Sequence, residues 1–135
     1  MVFERKKILI IDDEPDICEF ISYNLTHKGY EVFVSHDGKS GFEMAKKTNP
    51  DLIILDIMMP ELNGFETCSL IKKTPSLKHS ILVLFSALSE NYTKNTGFEL
   101  GADYYLCKPI KMKELIVKVN KWIYEDKLTS GGMHN

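Results

Sequence analysis

The chain has 135 residues, of which 44% are hydrophobic and 27% charged, with a formal net charge of −2. That length suits one domain with a core of its own, and the near-neutral balance provides no diffuse basic surface for binding nucleic acid directly. No apolar run reaches the length of a membrane span, and the start, MVFERKK, lacks the apolar middle of a secretory signal; a cytoplasmic protein with no membrane partner is expected. Cys18, Cys68 and Cys107 are odd in number, far apart and without paired spacing, so they are expected to be reduced, mostly buried thiols rather than a disulfide framework or a zinc site.

Five strand and helix pairs follow one another along the chain. KILII (7–11) is an aliphatic run ended by acids. The next segment places Ile17, Phe20, Ile21 and Leu25 at helical spacing, with Pro15 suited to the first turn and Gly29 closing the helix. YEVFVSH (30–36) reads as a strand and GKSGFEMAKKT (38–48) as a helix. DLIILD (51–56) has five residues without alternation and so reads as a strand covered on both faces. The loop MMPELNG leads to a helix at FETCSLIKKT (65–74). ILVLFSA (81–87) is another buried strand, SENYTKNTGFELG (89–101) a helix ended by Gly101, and ADYYLCKP (102–109) the last strand. IKMKELIVKVNKWIYEDKL is an amphipathic helix with Leu115, Val119, Trp122 and Ile123 on one stripe. The final residues, TSGGMHN, carry turn formers and no pattern. A domain over 5–126 is expected, with 127–135 a frayed tail or linker remnant.

Alternating strands and helices with continuous apolar strands imply a three-layer α/β/α sandwich around a parallel sheet joined by right-handed crossovers. Ligands in such sheets gather at the carboxyl ends of the strands, and there the chemistry-bearing residues collect. Asp12 and Asp13 end the first strand, Asp56 the third, Ser86 the fourth and Lys108 the fifth. Three carboxylates and one ammonium leave two negative charges, which one divalent cation would cancel, and an all-oxygen ligand set favours Mg²⁺ over zinc. A cation beside a lysine and a hydroxyl is suited to neutralising a transferring phosphoryl group. Asp56 is the candidate nucleophile, because a carboxylate can accept phosphoryl as an acyl phosphate. Asp12 and Asp13 would hold the metal and Lys108 would pair with the phosphoryl oxygens.

The stretches IIDDEP, LDIMMPELNGFE, LFSALSE and GADYYLCKPI resemble the receiver domain of bacterial two-component response regulators, over roughly residues 5–126. The order of the four motifs, with thirty residues from Asp56 to Ser86 and twenty-two from Ser86 to Lys108, is far more specific than any one of them. The resemblance implies a flavodoxin-like sheet of order 2-1-3-4-5. It implies that Asp56 is phosphorylated by a sensor histidine kinase, a phosphotransfer protein or a small donor. It also implies Mg²⁺, with Mn²⁺ able to substitute, on Asp13, Asp56 and the Met58 backbone carbonyl, Asp12 acting through water. Ser86 becomes the switch hydroxyl, Tyr105 the aromatic that changes rotamer, and Lys108–Pro109 a cis peptide.

Phosphorylation adds acceptor oxygens and roughly one negative charge at Asp56. Ser86 must move with its loop to reach them, Tyr105 can fill the vacated space, and the face of the fourth helix, fifth strand and final helix changes for an effector or a second copy. The protein is then no enzyme beyond its own phosphorylation and dephosphorylation. Departures from the family pattern matter too. Tyr104 stands where many DNA-binding regulators have an acid, and the final helix lacks their arginine-rich ending, which weighs against their usual active dimer. Met58 and Leu88 are apolar where polar residues can position attacking water, so slow self-dephosphorylation is expected.

Taken singly, the features have plainer readings: the acid pair as a helix cap, Ser86 as a cap, Lys108 and the Lys72, Lys73 and Lys78 cluster as solvated loop residues, Cys107 as a small buried thiol, and the four histidines without chemistry. Tyr104 and Tyr105 point opposite ways, one expected in the core and one at the surface. A dehalogenase-type phosphatase would need an acid where Met58 stands, and DDEPD would repel the phosphate of a flavin. The alternative function is a receiver-like interaction scaffold independent of phosphorylation.

Overall fold

In the computed structural model, which describes residues 4–58, 64–87 and 90–125, the aliphatic runs are the strands of one sheet. β1 (Lys7–Ile11), β2 (Glu31–Ser35), β3 (Leu52–Asp56), β4 (Ile81–Ser86) and β5 (Tyr104–Cys107) are joined through α1 (Pro15–His27), α2 (Gly38–Thr48), α3 (Gly64–Lys73) and α4 (Glu90–Glu99), and α5 (Met112–Tyr124) follows β5. The order is β2-β1-β3-β4-β5 and every pairing is parallel. The sandwich of order 2-1-3-4-5 is therefore the observed fold.

The unbroken apolar runs follow from cover on both sides. Ile8 and Ile10 pack with Cys18, Ile21 and Leu25 of α1 and Leu115, Val119 and Ile123 of α5. Leu9 and Ile11 turn the other way, into a cluster with Ala45 of α2 and Cys68 and Ile71 of α3. Each such aliphatic side chain, fully removed from water, contributes about 1.5–3 kcal/mol, so a one-residue slip of β1 would only exchange one buried set for another. Its register is pinned instead at the strand end, where Asp12 N–H donates to the Ser35 carbonyl at 3.0 Å.

The helix boundaries have local causes. Pro15 occupies the first turn of α1, and Gly29 closes it at φ 97°. Asp37 caps α2 by accepting from Ser40 N–H at 2.7 Å. At Gly64 the reason is proximity: a Cβ there would lie 2.3 Å from Ile57 Cα and 2.4 Å from the Asp56 carbonyl oxygen. Only glycine lets α3 begin directly against the end of β3.

Four expectations change. Phe20 stands on the α1 surface with 57% exposure, off the core stripe, because Ile17, Cys18, Ile21 and Leu25 fill the helix-to-sheet contact. Cys107 is exposed, as the last residue of the edge strand β5. Lys72 is only 17% exposed and is no solvated loop residue. Its ammonium donates to Asp103 Oδ2 at 2.8 Å and to the Ser80 carbonyl at 3.3 Å, while Leu82 N–H donates to the same Asp103 oxygen. Tyr104 and Tyr105 do face opposite sides, but both are half-buried. Tyr104 stacks on Trp122 with centroids 4.5 Å apart. The place of the family's acid is thus taken by an aromatic pair. Leu88, the start of the 89–101 segment and the tail 127–135 lie outside the described residues.

Candidate functional site

Where the parallel strands end, their backbones turn into the following helices, and side chains at those turns meet. Asp12 is 1% exposed, and its Oδ1 accepts the Glu14 N–H at 2.9 Å, which bends the chain into α1. Asp56, 2% exposed, ends β3, and its Oδ1 accepts the Met58 N–H at 3.1 Å. Ser86 is fully buried at the end of β4, where its carbonyl accepts the Lys108 N–H at 2.8 Å. β4 lies between β3 and β5, pairing Asp56 with Phe85 and Ser86 with Cys107. The sheet order alone therefore brings residues 12, 56, 86 and 108 to one edge. The Lys108–Pro109 peptide is cis.

Lys108 is the hub of the charges. Its ammonium lies 2.9 Å from Glu14 Oε1, 3.0 Å from Asp12 Oδ2 and 3.6 Å from Asp56 Oδ2. Burial alone would pull this ammonium toward its neutral form, but hydrogen bonds with Glu14 and Asp12 and the charges of Asp12 and Asp56 outweigh it and hold its pKa above the ordinary lysine value. Asp56 goes the other way. Burial first, and the Asp12 charge second, push it up to about 7, against the opposing pull of Lys108 and the Met58 N–H.

These carboxylates fit a hard divalent cation. Oxygens of Asp12, Asp13, Glu14 and Asp56 all lie within 4.8 Å of one another. Asp12 Oδ2 is buried and, apart from the nearby Lys108 ammonium, makes no hydrogen bond in the structure. Four carboxylates against one ammonium carry three uncompensated negative charges when all are ionised. Burial and the neighbouring acid both disfavour ionised Asp56, and a divalent ion on the same oxygens would offset the negative charge there without a proton.

Of the residues expected at the site, Asp12, Asp13, Asp56 and Lys108 converge, and Ser86 sits at the same edge. Met58 is exposed as a side chain, and its backbone lies two residues beyond Asp56, to whose carboxylate its N–H donates. Tyr105 lies half-buried on the α3 side of the sheet. Two contributions were not anticipated. Glu14 joins both the acid cluster and Lys108; its position directly after Asp13 was the available signal. His36, expected to carry no chemistry, places Nδ1 3.1 Å from the Asp12 carbonyl, which the Cys18 thiol also reaches at 3.2 Å. Burial, then the Asp12 charge, push that thiol up to about 12, so it remains a neutral donor. Nothing local in the sequence pairs residues 18 and 36.

A doubly wound sheet with an acid cluster, a lysine and a buried hydroxyl at its carboxyl edge defines a class of cation-assisted phosphoryl-binding domains. The family model of the response regulator receiver domain matches residues 8–120, and the chain belongs to that family. It is 38% identical over 112 residues to the response regulator ArlR of Staphylococcus haemolyticus, covering 83% of this chain and 50% of the relative. It is 41% identical over 115 residues to the alkaline phosphatase synthesis transcriptional regulatory protein PhoP of Bacillus subtilis, covering 85% and 47%. The chain thus spans about half the length of the curated relatives it matches. Among solved structures, the chemotaxis protein CheY4 of Vibrio cholerae superposes with a TM-score of 0.83 at 28% identity, covering 87% of this chain and 98% of that one.

Proposed function

We propose that the chain is a phospho-accepting signalling switch whose acceptor is Asp56. The observation that carries this reading is the buried Asp56 carboxylate at the strand edge, with the Lys108 ammonium 3.6 Å away and three more acids beside it. An Asp56 oxygen forms a bond to phosphorus as the P–N bond of a kinase or phosphotransfer-protein phosphohistidine, or the P–O bond of a small acyl phosphate, breaks. The leaving imidazole or acetate takes the electron pair. Asp13, Asp56 and the Met58 carbonyl would hold Mg²⁺ or Mn²⁺, with Asp12 contributing through water. The ion, when bound, offsets negative charge on the phosphoryl oxygens.

Lys108 neutralises a phosphoryl oxygen, and Ser86 donates its hydroxyl to another after its loop shifts. Tyr105, half-buried on β5, follows that shift, and the α4-β5-α5 face is then read by an effector or a second copy. The chain catalyses no reaction beyond its own phosphorylation and dephosphorylation, and acts in the cytoplasm. Among the described residues no helix is long and apolar enough to cross a membrane.

Incubation with acetyl phosphate and Mg²⁺ is expected to add one acid- and hydroxylamine-labile phosphoryl group by intact mass. Asp56→Asn and a chelated sample should gain none. No gain in the wild type, with no perturbation by Mg²⁺, would favour the phosphorylation-independent scaffold. With exposed, apolar Met58 two residues after the acceptor, no side chain there orients an attacking water, so the phosphoprotein should lose its label slowly; a half-life of seconds would refute that.

A further inference from the structure

We propose that Glu14 is a releasable latch for Lys108, holding the ammonium off Asp56 in the resting chain and yielding it when a phosphoryl group occupies Asp56. The proposal rests on the phospho-accepting reading above. Glu14 lies at the turn into α1 and Lys108 at the end of β5, ninety-four positions apart in sequence, yet among the described residues their 2.9 Å contact is the shortest that Lys108 makes with a carboxylate. Asp12 at 3.0 Å is also within hydrogen-bond reach, and Asp56 at 3.6 Å is outside it. In the resting chain the lysine is therefore bonded to the two acids that are not the acceptor.

Which contact is given up depends on what water can replace. Asp12 is 1% exposed, and its Oδ2 has no other hydrogen bond among the described residues to fall back on if Lys108 leaves. The Glu14 side chain is 57% exposed, so once released it is solvated at once. Leaving a buried acceptor unpartnered is costly, whereas parting an ion pair with one well-solvated member is not. A phosphoryl oxygen drawing the ammonium toward Asp56 thus displaces Glu14 and leaves Asp12 in place. Glu14 is a positioning residue acting through Lys108, and a pair with one partner this exposed biases the exchange by about two- to fivefold.

The test is equilibrium binding of beryllofluoride, a phosphoryl mimic that requires the acceptor carboxylate, at saturating Mg²⁺, with melting curves to verify each variant's fold. Glu14→Gln is expected to bind about two- to fivefold more tightly than the wild type, and the same substitution in a Lys108→Ala background is expected to change nothing. Glu14→Asp, which keeps the charge but loses the reach, should tighten binding as Gln does. Unchanged or weaker binding by Glu14→Gln overturns the latch. So does tightening that persists without Lys108, or wild-type behaviour of Glu14→Asp, because either result makes general charge repulsion the cause. A wild type that binds no beryllofluoride removes the phospho-accepting reading and the latch with it.

Discussion

In protein stripped of divalent ions, Asp56→Asn raises the melting temperature by several degrees at pH 8, and the gain disappears as the pH is lowered toward 4. The sign follows from where the carboxyl titrates. Asp56 has an ordinary value of 3.8 and is pushed up to about 7 in the fold, by burial first and by the Asp12 charge second. Below about pH 4 it is neutral in both the folded and the unfolded chain and contributes no difference. As the pH rises from 4 to 7 the unfolded chain releases the proton and the folded chain retains it. Stability falls by up to tenfold in the folding equilibrium per pH unit, and the loss is complete above the folded value.

The ceiling on this penalty is on the order of 4 kcal/mol, and part of it corresponds to several degrees in a domain of this size. Asn keeps the shape and can still accept the Met58 N–H, but never ionises. Adding Mg²⁺ should reverse the comparison, because the wild type gains a ligand-stabilised carboxylate and the variant loses one. Melting curves at four or five pH values with chelator, and again with Mg²⁺, check both halves. A variant no more stable than the wild type at pH 8 without metal would show that the fold does not disfavour the ionised Asp56 carboxylate.

Gly64→Ala carries the second large effect. Its Cβ would meet Ile57 Cα at 2.3 Å and the Asp56 carbonyl oxygen at 2.4 Å, both backbone atoms that no rotamer change can move. Either α3 withdraws from the strand end, breaking the 2.9 Å bond from Gly64 N–H to the Ile57 carbonyl, or β3 shifts and carries Asp56 with it. A loss of about 3 kcal/mol or more is expected, at the upper end for overpacking, together with weakened Mg²⁺ binding. Gly41 offers the contrast. The three atoms nearest to a Cβ there would all be side-chain atoms of Ile11, at 2.6–2.8 Å, so repacking absorbs more of the strain and Gly41→Ala should cost less. Denaturant midpoints for the two variants decide the point, and equal losses would refute the backbone argument.

The fold was legible because its signals are local. Runs such as Ile8–Ile11 and Leu52–Leu55 declare burial on both faces, and a polar residue ending a run marks the sheet edge where the chain turns. Asp12, Asp56, Ser86 and Lys108 could be assigned to one edge by that rule before any contact was known. The family motifs added the cis peptide before Pro109.

Burial at the ends of elements, and pairings between them, were not legible in the same way. Phe20 has the apolar character of a core residue, yet Ile17, Cys18, Ile21 and Leu25 already fill the α1 contact. Cys107 is exposed because β5 lies at the sheet's edge, a property of strand order rather than of the residue. Lys72 resembles its solvated neighbours Lys73 and Lys78, and only the approach of Asp103 from the start of β5 makes it a clamp.

The amino-acid sequence by itself determined the alternation of strands and helices, the doubly wound class and the acids, hydroxyl and lysine of the site, because periodicity and run boundaries are properties of neighbouring residues. Tertiary structure alone decided that Glu14 holds Lys108, that His36 and Cys18 meet behind Asp12, and that Asp56 is pressed toward its protonated form. Distance, desolvation and charge between residues remote in sequence exist only after the strands have assembled.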